Sequence, residues 1–347
     1  MSERLRVVQW ATGNIGTRAA LQMLRDPRLE LVGMLVYDEA KAGRDVGELC
    51  GLAPAGVAAT TDKQAVISLE ADCVLYMPRA ADLDDVVAML ERGTNVVTTC
   101  GDFQAGGRPL AAEARERVEA ACARGGSSIY ATGSSPGFIT DALPIALLSL
   151  QRQVDRIEIE EYANLSARNS PHLLFQQMGY ARPMGTPDPR RAAHLLTQFG
   201  PPLAELAEAA GRPVDDWSAH GELAAATHDL EIAAGPIPAG TVAAQRTVIS
   251  GASAGQEVVR FTATWYCGTD LDPQWDLLGT GWRVRMNGDA PLDVSLEFPF
   301  AVEDLGAHTP AYTANRPVNA IPYVVAARPG ILTTRDLPPL LPSRRGL

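Results

Sequence analysis

The spacing of apolar residues changes character along the chain. Over the first 132 residues, short apolar runs alternate with amphipathic stretches. Arg4–Trp10 and Leu29–Tyr37 read as strands, and Thr17–Arg25 between them repeats its apolar positions at helical spacing. Asp72–Met77, Asn95–Thr99 and Ser128–Thr132 are further strand-like runs, separated by the helical segments Leu83–Arg92 and Pro109–Arg124. Strands alternating with helices predict βαβ units, and so a parallel sheet with helices on both faces.

Near Asp141 the pattern changes. Asp141–Leu150 reads as a helix, and Val154–Tyr162 (VDRIEIEEY) alternates strictly, as a half-exposed strand does. The Pro and Gly content of Ser170–Gly221 predicts loops with short helical pieces. Between Leu230 and Phe298, the stretches VAAQRTVIS, EVVRFTATWY, WRVRMNG and LDVSLEF predict an antiparallel sheet with one covered face. Such an open sheet needs protection on its other face, so a homodimer through this sheet is expected. The Pro-punctuated segment Tyr312–Pro338 is expected to return to the first domain. The predicted boundaries are 1–140 with 309–347 for one domain and 141–308 for the other.

Composition narrows the partners. A chain of 347 residues with 46% hydrophobic and 20% charged residues can bury two cores, which excludes disorder as its dominant state. A net charge of −11 argues against a nucleic-acid partner, since such partners are held by basic stripes. No apolar stretch approaches the roughly 20 residues of a membrane span, and no basic amphipathic helix stands out. The 5 cysteines lack CxxC spacing and the histidines lack ligand spacing, so no metal is expected. Free thiols and the absence of a leader in MSERLRVVQWATGNIG point to the cytoplasm.

The strongest local motif is Trp10-Ala11-Thr12-Gly13-Asn14-Ile15-Gly16, which has the shape of G-x-G-x-x-G with alanine first. It follows the first strand and opens the first helix, as a dinucleotide fingerprint must. Gly13 would admit the pyrophosphate and Gly16 would let helix and strand approach, while Asn14 and Ile15 present backbone amides at the helix N-terminus. The plain alternative is a glycine turn that binds nothing. Asp38 lies where a carboxylate binds the ribose 2′-hydroxyl of NAD, but Lys41 and Arg44 follow, and cations there suit the 2′-phosphate of NADP. NADP is the expected cofactor, with NAD left open. Met77-Pro78-Arg79 and Thr99-Cys100 lie at two later strand ends, where the nicotinamide of such a cofactor would be bordered. The fold class is therefore an α/β Rossmann domain plus an α+β substrate domain with a largely antiparallel open sheet.

With these motifs in place, the chain resembles the dihydrodipicolinate reductase-like superfamily, in the branch of 2,4-diaminopentanoate dehydrogenase and related amine dehydrogenases. RVVQWATGNIG (6–16), AGRDVGELCGL (42–52), GTNVVTTCGDF (93–103), ATGSSPGF (131–138) and NAIPYVVAARPGI (319–331) carry the resemblance. It implies NAD(P)-linked chemistry at a C=N or C–NH2 bond and a substrate domain that also mediates dimerisation. The His-His motif of true dihydrodipicolinate reductases is absent, and the corresponding stretch reads EEYANLSARNSPHLL. The amine dehydrogenase branch uses a carboxylate just after the fifth strand. In this chain the carboxylate in that loop is Asp102, where the branch carries glutamate at or beside the position.

Asp102 is accordingly the expected catalytic residue, holding the proton inventory of a small substrate's nitrogen as acceptor and general base; otherwise it caps a turn. Ser135, Tyr162, Asn164, His172, Trp265 and Thr313 are candidate substrate contacts, since aromatic walls with a few polar groups make small-molecule pockets. Ser134 and Ser135 would either cap the following helix or leave its amides to grip a substrate carboxylate or carbonyl. Cys100 could in principle be a nucleophile, but free cysteines are more often small buried hydrophobes. Two other functions compete: a carbonyl or C=C reductase of the same fold, and a non-catalytic NADPH-sensing protein.

Overall fold

The computed structural model describes residues 4–343. It divides into two compact units, Met1–Phe138 with Pro310–Leu347, and Ile139–Thr309. The chain begins β1 (Leu5–Trp10), α1 (Asn14–Arg25), β2 (Leu29–Leu35), α2 (Val46–Leu49), β3 (Ala59–Thr60) and α3 (Lys63–Ile67). It continues β4 (Cys73–Tyr76), α4 (Leu83–Glu91), β5 (Asn95–Thr98), α5 (Gln104–Gly107), α6 (Ala112–Gly125) and β6 (Ser128–Ala131). The second unit holds α7 (Leu143–Leu148), β7 (Val154–Asn164), α8 (Pro189–Ala209), β8 (Asp216–Ala226), and a small hairpin of β9 (Leu230–Ile232) and β10 (Gly235–Ile237). It is completed by β11 (Val242–Ser253), β12 (Gln256–Tyr266), β13 (Leu271–Asp272), β14 (Gly281–Gly288) and β15 (Leu292–Glu297). The helix α9 (Leu305–Val325) and the strand β16 (Gly330–Leu332) follow, and their residues from Pro310 onward belong to the first unit.

In the first unit seven parallel strands run in the order β16-β6-β5-β4-β1-β2-β3. Residues alternate between two buried faces. Val7, Leu75, Val97 and Tyr130 meet α1 and α9, whereas Val8, Val74, Val96 and Ile129 meet α4 and α6. Each fully buried Val, Leu or Phe stabilises by roughly 1.5–3 kcal/mol, so strands apolar on both sides require helices on both sides. Strand order reverses between β1 and β4, which puts a crevice at the carboxyl ends of those strands.

In the second unit the sheet order is β13-β8-β11-β12-β7-β14-β15. It is antiparallel except where β7 runs parallel to β12. The stretch Ser170–Gly221 differs from expectation: it contains a helix of 21 residues, α8, and the start of β8. Pro189 occupies the first turn, where no donor is lost, but Pro201 and Pro202 stand inside the helix and make the sequence look broken. Tertiary packing outweighs them. Leu195, Phe199, Leu203 and Leu206 are buried, and Phe199 stacks on Phe261 of β12 at 4.1 Å. The helix expected over Asp141–Leu150 is also shorter: regular α-helix spans Leu143–Leu148, preceded by an irregular turn whose Ser135, Pro136 and Gly137 are not helical.

The sheet face turned away from α8 carries ion pairs instead of apolar side chains. Glu158 accepts Arg156 and Arg285 at 3.2 Å, Arg285 also reaches Glu160 at 2.8 Å, and Arg283 holds Asp293. At one end of this face the Arg246 guanidinium lies 4.3 Å from the Trp275 ring. Among the described residues no helix is long and apolar enough to cross a membrane.

The turn after β1 is built on an unusual residue. Ala11 has φ 75, a left-handed conformation that costs a side-chain-bearing residue about 1–2 kcal/mol. Two bonds hold it there: its N–H donates to the Leu35 carbonyl at 2.9 Å, and its carbonyl accepts from Gln9 Nε2 at 2.8 Å. Ala11→Gly is expected to raise unfolding stability by about 0.5–1 kcal/mol, the relief of strain less the added freedom of the unfolded chain. Urea denaturation measures this, and an unchanged or lowered midpoint would contradict the strain.

Candidate active site

The carboxyl edge of the first unit's sheet gathers four turns, after β1, β4, β5 and β6. The first is the fingerprint. Gly16 lies so near β1 that a Cβ there would sit 2.2 Å from the Ala11 carbonyl oxygen, which only glycine allows. At Gly13 a Cβ would meet nothing within 4 Å, so open space lies over the helix N-cap. No side chain caps α1, and its first turn holds no acidic residue. The leading amides of α1 and its positive dipole end therefore have no internal anion to satisfy them. Asn14 is exposed and accepts from Arg18 at 3.4 Å, while Ile15 packs into the core.

The residues after β2 complete this corner. Asp38 caps the short turn Glu39–Lys41 by accepting from Ala40 N–H at 3.0 Å. Lys41 Nζ donates to the Thr12 carbonyl at 3.1 Å and to Thr12 Oγ1 at 3.3 Å, so its ammonium lies against the fingerprint loop. Arg44 is exposed. The structure thus brings Gly13, Gly16, Asp38 and Lys41 into one neighbourhood, and these residues fit a dinucleotide: a backbone cradle without a Cβ, an uncapped helix start, and a cation beside it.

The second and third turns meet through Cys100. Met77 N–H donates to the Trp10 carbonyl at 3.0 Å, tying the end of β4 to β1, and Arg79 is exposed. Cys100 is buried, its Sγ donates to the Pro78 carbonyl at 3.5 Å, and its N–H donates to Thr98 Oγ1. Burial pushes this thiol up to about 11, so at neutral pH it is protonated and a poor nucleophile. Thr99 is half-buried beside it. Asp102, in a single turn of 3-10 helix after β5, is exposed and makes no hydrogen bond or ion pair with another described residue. It caps nothing.

The fourth turn, after β6, lies under α9. Ser134 Oγ and Thr313 Oγ1 share a hydrogen bond of 2.7 Å, so Ser134 does not cap the following helix. Ser135, which precedes a cis proline, has a buried hydroxyl oxygen without a partner. Gly137, at φ 130 and ψ −93, holds a conformation open to glycine alone. Arg316, which sequence reasoning passed over, donates to Thr132 Oγ1 at 2.8 Å and to the Tyr130 hydroxyl at 3.3 Å. It makes no carboxylate pair among the described residues, and nothing in its surroundings in the chain, NRPVN, announces that. Thr313, grouped by its sequence with the substrate contacts, belongs to the first unit together with Ser135.

The remaining substrate candidates lie in the second unit and are engaged locally. Tyr162 is buried, its hydroxyl pushed up to about 12 mainly by that burial. Asn164 Oδ1 accepts from both the N–H and the hydroxyl of Ser166. His172 is exposed and bonded to Gln176 and Gln177. Trp265 Nε1 donates to Glu161 Oε1 at 3.1 Å, and Trp282 Nε1 donates to Glu161 Oε2 at the same distance. Glu161 carries no special signal in the alternating run IEIEEY. No group of His, Cys, Asp and Glu suited to a metal occurs among the described residues.

Comparison with known proteins gives the same direction. No family model matches the chain. An amine dehydrogenase of Streptomyces virginiae is 28% identical, covering 96% of each chain. The structure of an amine dehydrogenase from Mycobacterium smegmatis superimposes with a TM-score of 0.73 over 98% of each chain at 20% identity. A scyllo-inositol dehydrogenase of Lactobacillus casei, solved with NAD(H) and scyllo-inositol, gives 0.53 at 12% identity, covering 84% of this chain and 76% of its own. The fold, a parallel Rossmann-type sheet followed by a mixed sheet, is thus shared with two-domain dehydrogenases.

Proposed function

We propose that this oxidoreductase is an NADP-linked enzyme acting at a C=N or C–NH2 bond, in the manner of an amine dehydrogenase that reductively aminates a small carbonyl compound. The observation that carries the nucleotide half is the turn after β1, where space above Gly13 meets an uncapped helix start and the Lys41 ammonium. The chemistry at nitrogen is supported by the Streptomyces virginiae relative, similar over nearly the whole chain.

The bound nicotinamide supplies or accepts a hydride. The chain's residues do the rest. Gly13 and the amides of Asn14 and Ile15 would hold the pyrophosphate, and Gly16 keeps α1 close enough to β1 to aim them. Lys41 would neutralise a 2′-phosphate, with Asp38 turned to its own backbone and Arg44 nearby in sequence. Asp102, exposed and unengaged, would accept a hydrogen bond from the substrate nitrogen and move its proton. A covalent role for Cys100 is disfavoured because its thiol is protonated and buried.

Two measurements test this reading. NADPH consumption with a panel of ketones and aldehydes should depend on high ammonium; equal turnover without ammonium would make the enzyme a carbonyl reductase. In the same assay Asp102→Asn should lose about 100- to 10,000-fold in kcat, the range of general base catalysis, with NADPH affinity unchanged. No consumption of either nicotinamide despite tight binding would favour a sensor. Lys41→Ala should weaken NADPH about tenfold, or about 1.4 kcal/mol, and leave NADH affinity within twofold. Fluorescence titration reads both, and equal losses for the two cofactors would remove the 2′-phosphate role.

A further inference from the structure

The second unit contains a cationic cavity whose lining residues have no role in the reading above. It has a volume of about 180 Å³, room for roughly half a dozen waters or a ligand of a few non-hydrogen atoms. Its apolar walls include Met178, Pro187, Leu223 and Val242, and Arg191 and Gln245 face it beside two carboxylates that are already paired, Glu222 with Arg246 and Asp188 with Arg190.

Arg191 stands in the first turn of α8, two residues after Pro189. Its Nη1 donates to the Met178 carbonyl at 2.9 Å and to Gln245 Oε1, while Gln245 Nε2 donates to the same carbonyl at 2.6 Å. The guanidinium lies 5.4 Å from the centroid of the Trp265 ring. These contacts fix the group in place and leave the Nε and Nη2 donors without a partner among the described residues. Arg191 makes no ion pair among the described residues. The carboxylate nearest in sequence, Asp188, is held by Arg190 through both oxygens at 2.8–3.1 Å. Desolvation pulls the pKa of Arg191 below that of a free guanidinium and outweighs the opposing attraction of Asp188, which marks a charge kept partly from water.

A half-buried cation held rigidly by neutral acceptors, with two parallel donors turned free, is the arrangement a carboxylate satisfies. We propose that this cavity binds a short-chain aliphatic monocarboxylate, its two oxygens on Nε and Nη2 of Arg191 and its alkyl tail against the apolar walls. One negative charge compensates the one semi-buried positive charge. A phosphate dianion would bring a second charge that finds no free buried cation, because Arg246 is already paired with Glu222 at 3.2 Å and Arg182 is exposed, where solvent screens the attraction. The substrate's own carboxyl group and a separate effector acid present the same chemistry to the cavity, and the test below distinguishes them.

Calorimetric titration of the full chain, without nicotinamide or carbonyl substrate, tests the site with butyrate, inorganic phosphate and chloride at equal ionic strength. Butyrate should bind at one site per chain, at least tenfold more tightly than chloride or phosphate. Arg191→Lys, which keeps the charge but loses the fork, should weaken butyrate at least tenfold. Gln245→Glu is the sharper variant, because it places a carboxylate against Arg191 from within. It should weaken butyrate binding at least tenfold; because it also loses the N–H donated to the Met178 carbonyl, circular dichroism and the melting temperature are read beside it to separate loss of binding from loss of fold. Butyrate binding unaltered in Gln245→Glu, or no tighter than that of chloride, would overturn the proposal, as would tighter binding of phosphate. Failure here leaves the ammonium-dependent reaction untouched, since no turnover is measured. With that reaction in hand, butyrate competitive against the carbonyl substrate would identify a substrate subsite, and any other pattern an effector site.

Discussion

The architecture of the candidate active site depends on one close approach. Between Ala11 and Gly16 there is no room for a Cβ, and the Ala11 carbonyl occupies that space with the Gln9 amide bonded to it. Because the carbonyl is held, β1 must end in a left-handed residue and α1 must start at once. That abrupt reversal places the helix N-terminus at the sheet's carboxyl edge with its first amides free. A longer or looser turn would let the helix start drift, and an anion would then find disordered donors instead of a fixed cradle. Alanine in place of the usual glycine at the first position makes the turn less comfortable and also narrows its range of conformations.

The two units meet the same problem, an apolar sheet face, in different ways. In the first, both faces are covered by helices, and the strand charges Arg6 and Glu30 stand next to the strand starts. In the second, α8 covers one face while the other is laced with arginine–glutamate contacts, the side chains partly screened and partly buried. Such pairs contribute little net stability, often less than 1 kcal/mol each when exposed, but they discourage indiscriminate stacking because a partner must match their pattern of sign.

How far the sequence could be read follows from these differences. The strands of the first unit were legible because runs such as RVVQW and NVVT are apolar on both sides and bounded by glycine or polar residues. The fingerprint was legible despite Ala11, since Gly13, Gly16 and the strand-to-helix context survive. The long helix α8 was hidden by Pro201 and Pro202, whose local signal is to break a helix, and packing of Phe199 and Leu203 decided otherwise. Arg316 and Arg191 were illegible for another reason. Whether an arginine is compensated depends on neighbours 184 or 54 residues away, and no local pattern encodes an absent carboxylate.

The discontinuous make-up of the first unit has a bearing on biosynthesis. Its sheet takes its edge strand, β16, from residues 330–332, and Ser128 Oγ donates to the Val324 carbonyl across 196 positions of chain. One side of its core includes Ala314, Val318, Ile321 and Val324 of α9 beside the residues of α1. A nascent chain that has reached residue 138 therefore carries a sheet with one face covered by α1 but not yet by α9. It must wait while the ribosome adds residues 139–309, on the order of 10–30 s at typical elongation rates. The unit encoded in the middle can close first, and the first unit, started earliest, finishes last. During that interval the exposed Val and Leu side chains of the early strands are a natural target for a ribosome-associated chaperone.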